Sequence, residues 1–359
     1  MEQPAEKERR IRIGITHGDV NGIGYEIIIK TLQDQRLMEL YTILVYGSSK
    51  VASYHRKVLN INDFNFNLVR KADQAHPRRP NIINIHDEEI KVDLGKSTSV
   101  AGELALLSLD AACEDLHKNL IDAVVTAPIN KKNIQAPGFA FPGHTEYFAK
   151  KFNAEDYLML MVNRVLRIGV VTTHIPLNRV KETLTTEMVL GKIRVMNHSL
   201  VRDFGIVKPR IAVLALNPHA SDEGLIGNEE QEIIIPAIQN AYEQGVLAFG
   251  PYPADGFFGS GSFRKFDGVL AMYHDQGMVP FKLLSFDEGV NYTAGLPIIR
   301  TSPAHGTAYD LAGKNEASPE ALRNALYLAG DIFMHRLEYD ELLAGRLRPA
   351  GNQPEPPRS

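Results

Sequence analysis

Three apolar runs of this chain each end in a histidine: Ile168-Gly-Val-Val-Thr-Thr-His174, Ile211-Ala-Val-Leu-Ala-Leu-Asn-Pro-His219 and Gly268-Val-Leu-Ala-Met-Tyr-His274. Each run has the length and branching of a strand buried on both faces. Such strands need helices above and below them, which directs the chain to the α/β class. Open α/β sheets bind ligands beyond the carboxyl ends of their strands. Three imidazoles delivered to one such edge would form a divalent-metal site with positions left open for substrate. A single histidine after a strand is more often a loop or capping residue. Three of twelve histidines in the same structural position favour a shared site instead. His117, His198 and His335 fall in polar, helix-like stretches and read as surface residues.

The rest of the pattern agrees with alternating strands and helices. Ile11–Thr16 reads as a first strand and Tyr25–Leu32 as the helix after it. Ile43–Tyr46, Ile82–Ile85 and Ala123–Thr126 read as further strands. Gly102–Leu120 carries a helical period, with Leu104, Leu107, Ala111 and Ala112 on one face. Thr185–Leu200, Asn228–Gln244 and Pro319–Leu337 read as helices, the last with Ser318 as its cap and Pro319 in its first turn. No repeat or low-complexity linker separates two halves, so two lobes should interleave in sequence.

Composition narrows the function. With 359 residues the chain can build two domains and a large core. A net charge of −4 leaves no electrostatic footprint for nucleic acid or an anionic membrane. One cysteine, Cys113, excludes an internal disulfide and a cysteine-built zinc site, and fits a reducing cytoplasm. Met1–Arg10 is charged and lacks the apolar centre of a signal peptide. Arg346–Ser359 is rich in proline and polar residues and reads as a tail.

Several short motifs carry chemistry. The turn Gly18-Asp-Val-Asn-Gly22-Ile-Gly24-Tyr-Glu26 could bring backbone N–H groups to an anion, but its spacing is not the dinucleotide fingerprint. Gly95-Lys-Ser-Thr98 resembles the end of a phosphate-binding P-loop, yet Ile90 stands where the loop needs its first glycine. Pro142-Gly-His144-Thr-Glu-Tyr147 sets a histidine and a hydroxyl before a helix-like segment, suited to a phosphate or carboxylate or to simple capping by Thr145. Lys282, Asn291 and Arg300 lie just downstream of His274 and together form a candidate anion clamp. Asp275 could orient the neighbouring imidazole. Glu26, Glu146 and Asp255 are candidate acids or bases.

Taken together, these stretches resemble the 4-hydroxythreonine-4-phosphate dehydrogenase family of pyridoxal phosphate biosynthesis. The matching segments are Thr126-Ala-Pro-Ile-Asn-Lys131, Gly143-His-Thr-Glu146, Thr172-Thr-His-Ile-Pro-Leu177, Asn217-Pro-His-Ala220, Tyr273-His-Asp-Gln-Gly277, Val290-Asn291, Arg300-Thr-Ser302 and His305-Gly-Thr-Ala308. They keep the family's order from about Ile11 to Leu337. The resemblance implies an isocitrate/isopropylmalate dehydrogenase-like fold, two α/β/α lobes with the active site in the cleft between them. The first lobe would comprise residues 1–130 plus 300–345, the second 131–299, and the tail 346–359. It also implies metal ligands at His174, His219 and His274, and substrate contacts at His144, Thr145, Lys282, Asn291 and Arg300. Family members are homodimers whose active sites draw on both subunits. The first turn departs from the family's Gly-Asp-Pro-Ala-Gly-Ile-Gly-Pro-Glu at Val20, Asn21 and Tyr25. Further departures stand at Ser221, Asp222 and Gly256.

The implied reaction is oxidation of a secondary alcohol by NAD or NADP with one divalent ion (zinc, magnesium or cobalt), followed by decarboxylation to 3-amino-2-oxopropyl phosphate. Relatives that oxidise threonate or erythronate phosphates are the alternative. Phosphate acyltransferases share the fold but have no use for three histidines. A non-catalytic sensor would have no reason to keep them. Neither the base, the cofactor-binding residues nor the choice of NAD over NADP is readable from the residues.

Overall fold

The computed structural model describes residues 10–86, 88–135, 139–285 and 287–345. The segment 346–359 expected as a tail lies outside these residues. The strands are β1 (Ile11–Thr16), β2 (Tyr41–Gly47), β3 (Asn67–Val69), β4 (Asn81–Asn84), β5 (Ala123–Thr126), β6 (Leu158–Val162), β7 (Arg167–Thr172), β8 (Arg210–Leu214), β9 (Leu247–Tyr252), β10 (Gly268–Tyr273), β11 (Val290–Ala294) and β12 (Ile299–Pro303). The α-helices are α1 (Gly24–Leu32), α2 (Gln35–Leu40), α3 (Ser49–Val58), α4 (Ser99–His117), α5 (His144–Lys151), α6 (Leu177–Thr183), α7 (Thr186–Arg202), α8 (Ile235–Glu243), α9 (Ala254–Gly259), α10 (His274–Leu284) and α11 (Glu320–Ala344).

All twelve strands join one sheet in the order β3-β4-β2-β1-β5-β12-β11-β6-β7-β10-β8-β9. The outer parts are parallel, as β-branched runs covered by helices require. The centre is antiparallel: β11 pairs with both β12 and β6, and β6 with β7. Strands β1 to β5 with β12 fill one half of the sheet, and β6 to β11 fill the other. Ile13 and Ile15 of β1, and Ile43 and Val45 of β2, are fully buried. At about 1.5–3 kcal/mol per buried aliphatic side chain, such strands hold the sheet between its helical layers.

Helix ends follow local chemistry. Thr98 accepts from Ala101 N and starts α4, and Thr185 accepts from Met188 N and starts α7. At α11 the cap is Pro319 itself, and the Ser318 hydroxyl accepts from Glu320 N. The stretch expected as one helix over Asn228–Gln244 is a π-helical turn, Glu230–Ile234, followed by α8. Pro236 lacks the N–H that would reach residue 232, and the wider turn takes up the interruption. His335 is half-buried, its Nδ1 2.9 Å from the Asp203 carbonyl, rather than a surface residue.

Candidate active site

The antiparallel centre of the sheet sets up one polar face. Asn291 on β11 pairs in register with Ser302 on β12 and with Met161 on β6. Side chains alternate along a strand, so Arg300 and Ser302, Asn291 and Thr293, and Met159 and Met161 share that face. Helix α5 starts above it, and the Thr145 hydroxyl lies 3.3 Å from that of Thr293. Thr145 is therefore directed at the sheet, and the N-cap of α5 is Gly143. The strand ends of β7 and β10 bring His174 and His274 to the rim.

These elements enclose a cavity of about 240 Å³. Its lining includes seven of the eight expected site residues: His144, Thr145, His174, His274, Lys282, Asn291 and Arg300. Thr126, Lys131, Glu146, Ser302 and His305 line it as well. Of the three candidate acids, Glu146 alone is there. Glu26 is buried against Lys30 Nζ (2.8 Å) and Ala317 N (2.9 Å), and Asp255 opens the short helix α9.

Arg300 dominates the electrostatics. It is 2% exposed, and its guanidinium donates to Thr126 (2.7 Å), Ser302 (3.0 Å) and Thr293 (3.3 Å). All three acceptors are neutral hydroxyls. Burial pushes its pKa down to about 9, against a partial rise from Glu146. The same burial, with Arg300 and Lys131 nearby, holds His144 neutral well below its usual range. Four buried polar atoms in the cavity have no partner among the described residues: His144 Nε2, Glu146 Oε2, Asn291 Oδ1 and His305 Nε2. Buried polar groups are rarely left so, and a ligand with both acceptors and donors would satisfy them.

The candidate metal residues divide. The rings of His174 and His274 lie 5.9 Å apart between centroids, tilted by 39°. His274 Nδ1 is 2.7 Å from Asp275 Oδ1, an arrangement that leaves Nε2 free for a ligand bond. Burial first, then Lys131, lowers the His174 pKa and favours the neutral, ligating form. His219 does not line the cavity. It is exposed, at the start of a turn beyond β8. Among the described residues no group of three His, Cys, Asp or Glu side chains is close enough to hold a metal ion. Within one chain, then, His174 and His274 meet at the cavity and His219 lies outside its lining.

The glycine-rich first turn is engaged with protein. Asp19 Oδ2 accepts from Asn133 and from Tyr309, both at 2.7 Å. Asn21 donates to Lys96 O (2.9 Å) and Thr98 Oγ1 (3.0 Å) and accepts from Asp93 N (2.9 Å). The Gly95–Thr98 stretch is the loop that Asn21 holds. Lys131, Thr126, Ser302 and His305 were not singled out in sequence. Position just at or beyond a strand end, the signal that marks the histidines, would have found them.

Residues 39–329 match the family "Pyridoxal phosphate biosynthetic protein PdxA". A 4-hydroxythreonine-4-phosphate dehydrogenase from Bacteroides thetaiotaomicron is 52% identical over 92% of this chain and 91% of its own length. A relative from Oceanobacillus iheyensis, provisionally named D-threonate 4-phosphate dehydrogenase, is 40% identical over 89% of this chain and 97% of its own. The crystal structure of a 4-hydroxythreonine-4-phosphate dehydrogenase from Klebsiella pneumoniae superposes with a TM-score of 0.78 at 36% identity, covering 90% of this chain and 98% of that one. The chain has the fold of these enzymes and belongs to the PdxA family of 4-hydroxythreonine-4-phosphate dehydrogenases.

Proposed function

We propose that the chain oxidises 4-hydroxy-L-threonine 4-phosphate with NAD or NADP and releases 3-amino-2-oxopropyl phosphate and carbon dioxide, in cytoplasmic pyridoxal 5'-phosphate biosynthesis. The observation that carries this reading is Arg300, a buried cation surrounded by neutral hydroxyls. A phosphate supplies the missing charge and accepts bidentate hydrogen bonds. Lys282, His144, Thr145 and the start of α5 lie around the same cavity and would complete the grip. Asn291 would meet the substrate's polar carbon chain. The clamp fixes the substrate so that its reacting carbon faces the His174–His274 pair.

A divalent ion (zinc, magnesium or cobalt) would be held by His174 and His274 of one chain and His219 of a second copy. When bound, such an ion lowers the pKa of a hydroxyl and polarises a carbonyl. Asp275 holds the His274 ring with Nε2 outward. Oxidation at C3 would give up a hydride, for which NAD or NADP would be the acceptor, and the hydroxyl proton. The resulting β-keto acid then loses its carboxylate as carbon dioxide, and C2 takes up a proton. A homodimer is supported by exposed apolar residues on the histidine-bearing half: Leu177 (71% exposed), Leu225 (84%) and Leu283 (83%). The lobes would divide as residues 1–130 with 300–345, and 131–299.

The Oceanobacillus relative makes D-threonate 4-phosphate the second candidate substrate. The two differ at C2, amine against hydroxyl. Initial rates of nicotinamide reduction with each, on metal-repleted protein, decide between them.

A further inference from the structure

Between β8 and α8, five consecutive residues adopt left-handed backbone: His219, Ala220, Ser221, Asp222 and Glu223, with φ of 54, 53, 69, 48 and 55°. None is glycine. Each such residue costs about 1–2 kcal/mol against the right-handed form, so the segment would not hold this shape alone. Its surroundings hold it. Glu230 is 0% exposed, and its Oε1 accepts from both Leu216 N and Asn217 N at 2.8 Å. The Asn217 carboxamide, two residues before His219, donates to Glu230 Oε2 (3.0 Å) and Glu229 Oε2 (2.7 Å). Ser221, buried inside the turn, pairs with the Gln231 carboxamide at 2.9 Å. Lys181 of α6 pairs with Glu229, which ties this clamp to the helix that follows His174.

A backbone this strained and this well clamped points to a use for its shape. The ring that the turn carries outward is His219. We propose that Glu230 and Asn217 are positioning residues: they lock a left-handed turn that presents His219, rigidly, to the His174–His274 pair of a second copy of this chain. This rests on the reading of His219 as a metal ligand given above. The clamp would remove the need to order the loop when metal binds, which otherwise weakens affinity.

Cobalt binding to the full-length dimer tests it, read by visible absorption and by metal retained after dialysis. Ala220→Pro cannot adopt a positive φ, whereas Ala220→Gly can. Ala220→Pro should keep its far-ultraviolet circular dichroism and lose about 10–100-fold in cobalt affinity, the scale of losing a ligand's support. Ala220→Gly should bind as wild type does. Glu230→Gln puts an NH2 against the Asn217 NH2 and should weaken cobalt as Ala220→Pro does, which covers the case in which the proline variant does not fold. Wild-type affinity and spectrum in folded Ala220→Pro or Glu230→Gln would overturn the positioning role. Wild-type binding by His219→Ala would instead overturn the ligand assignment beneath it.

Discussion

The Arg300 guanidinium sits 2.7 Å from the Thr126 hydroxyl, and every hydrogen bond it makes among the described residues goes to a neutral oxygen. A cation removed from water without an anion destabilises the protein that contains it. On the reading proposed above, the anion arrives with the substrate.

Inorganic phosphate should therefore raise the melting temperature of the wild-type protein in proportion to its saturation. Arg300→Met should abolish that response while leaving the ligand-free melting temperature unchanged or higher. It should also weaken phosphorylated substrate by about 2–3 kcal/mol, the scale of a charge-assisted hydrogen bond. Thermal shift with and without phosphate, plus KM on the variant, checks this. A variant that still responds to phosphate would count against Arg300 as the anchor.

A second prediction concerns acid. His17 stacks on Tyr25 at 5.3 Å and Tyr25 on His55 at 5.2 Å, and burial brings both imidazole pKa values down to about 4. An unfolded histidine titrates near 6.5. Below that pH the unfolded chain takes up protons that the folded chain refuses. The stacked rings' contribution is thus complete above pH about 6.5 and lost as pH falls toward about 4, up to roughly 3 kcal/mol per ring. His17→Phe keeps the stack and removes one titrating group, so its unfolding free energy should fall less steeply over this window. Identical slopes in denaturant titrations across the window would refute this.

Asn21 stands where the family commonly has alanine, and it makes three side-chain hydrogen bonds to the 93–98 loop. Asn21→Ala should cost about 1–3 kcal/mol, because it leaves part-buried partners unsatisfied. The cavity residues do not include this loop, so kcat should change little. Chemical denaturation measures the first expectation and steady-state kinetics the second; unchanged stability would show the clamp to be dispensable.

The strands that precede the three histidines, β7, β8 and β10, were legible from their apolar runs, and the start of α7 from Thr185. Seven residues that line the cavity were named in the sequence by short-range marks: His174 and His274 by strand ends, Lys282, Asn291 and Arg300 by their place after His274, and His144 and Thr145 by the turn before a helix. The separation of His219 was not, since a strand-end rule says where a side chain leaves the sheet but not which way the next turn carries it. Five left-handed residues redirect it, and their cause lies in Glu230 and Asn217, whose contacts no period or motif records. Arg300 was visible in the sequence as a charge. That its hydrogen bonds among the described residues all go to hydroxyls needed the register of β11 and β12.

Sharing of the metal site can be read by mixing. His174→Ala and His219→Ala should each be inactive alone. After subunit exchange, one site of each heterodimer has all three imidazoles. Activity should then return to roughly a quarter of wild type, the share of intact sites in a randomly mixed two-fold dimer. No recovery, with exchange confirmed by mass, would mean that all three histidines serve one chain's own site.

The most direct measurement is reduction of NAD and NADP by metal-repleted protein given 4-hydroxy-L-threonine 4-phosphate, with D-threonate 4-phosphate in parallel. Nicotinamide reduction and carbon dioxide release in equal amounts, with the hydroxythreonine phosphate the faster substrate, is the predicted result. No reduction with that compound, or a clear preference for the threonate phosphate, would contradict the assignment.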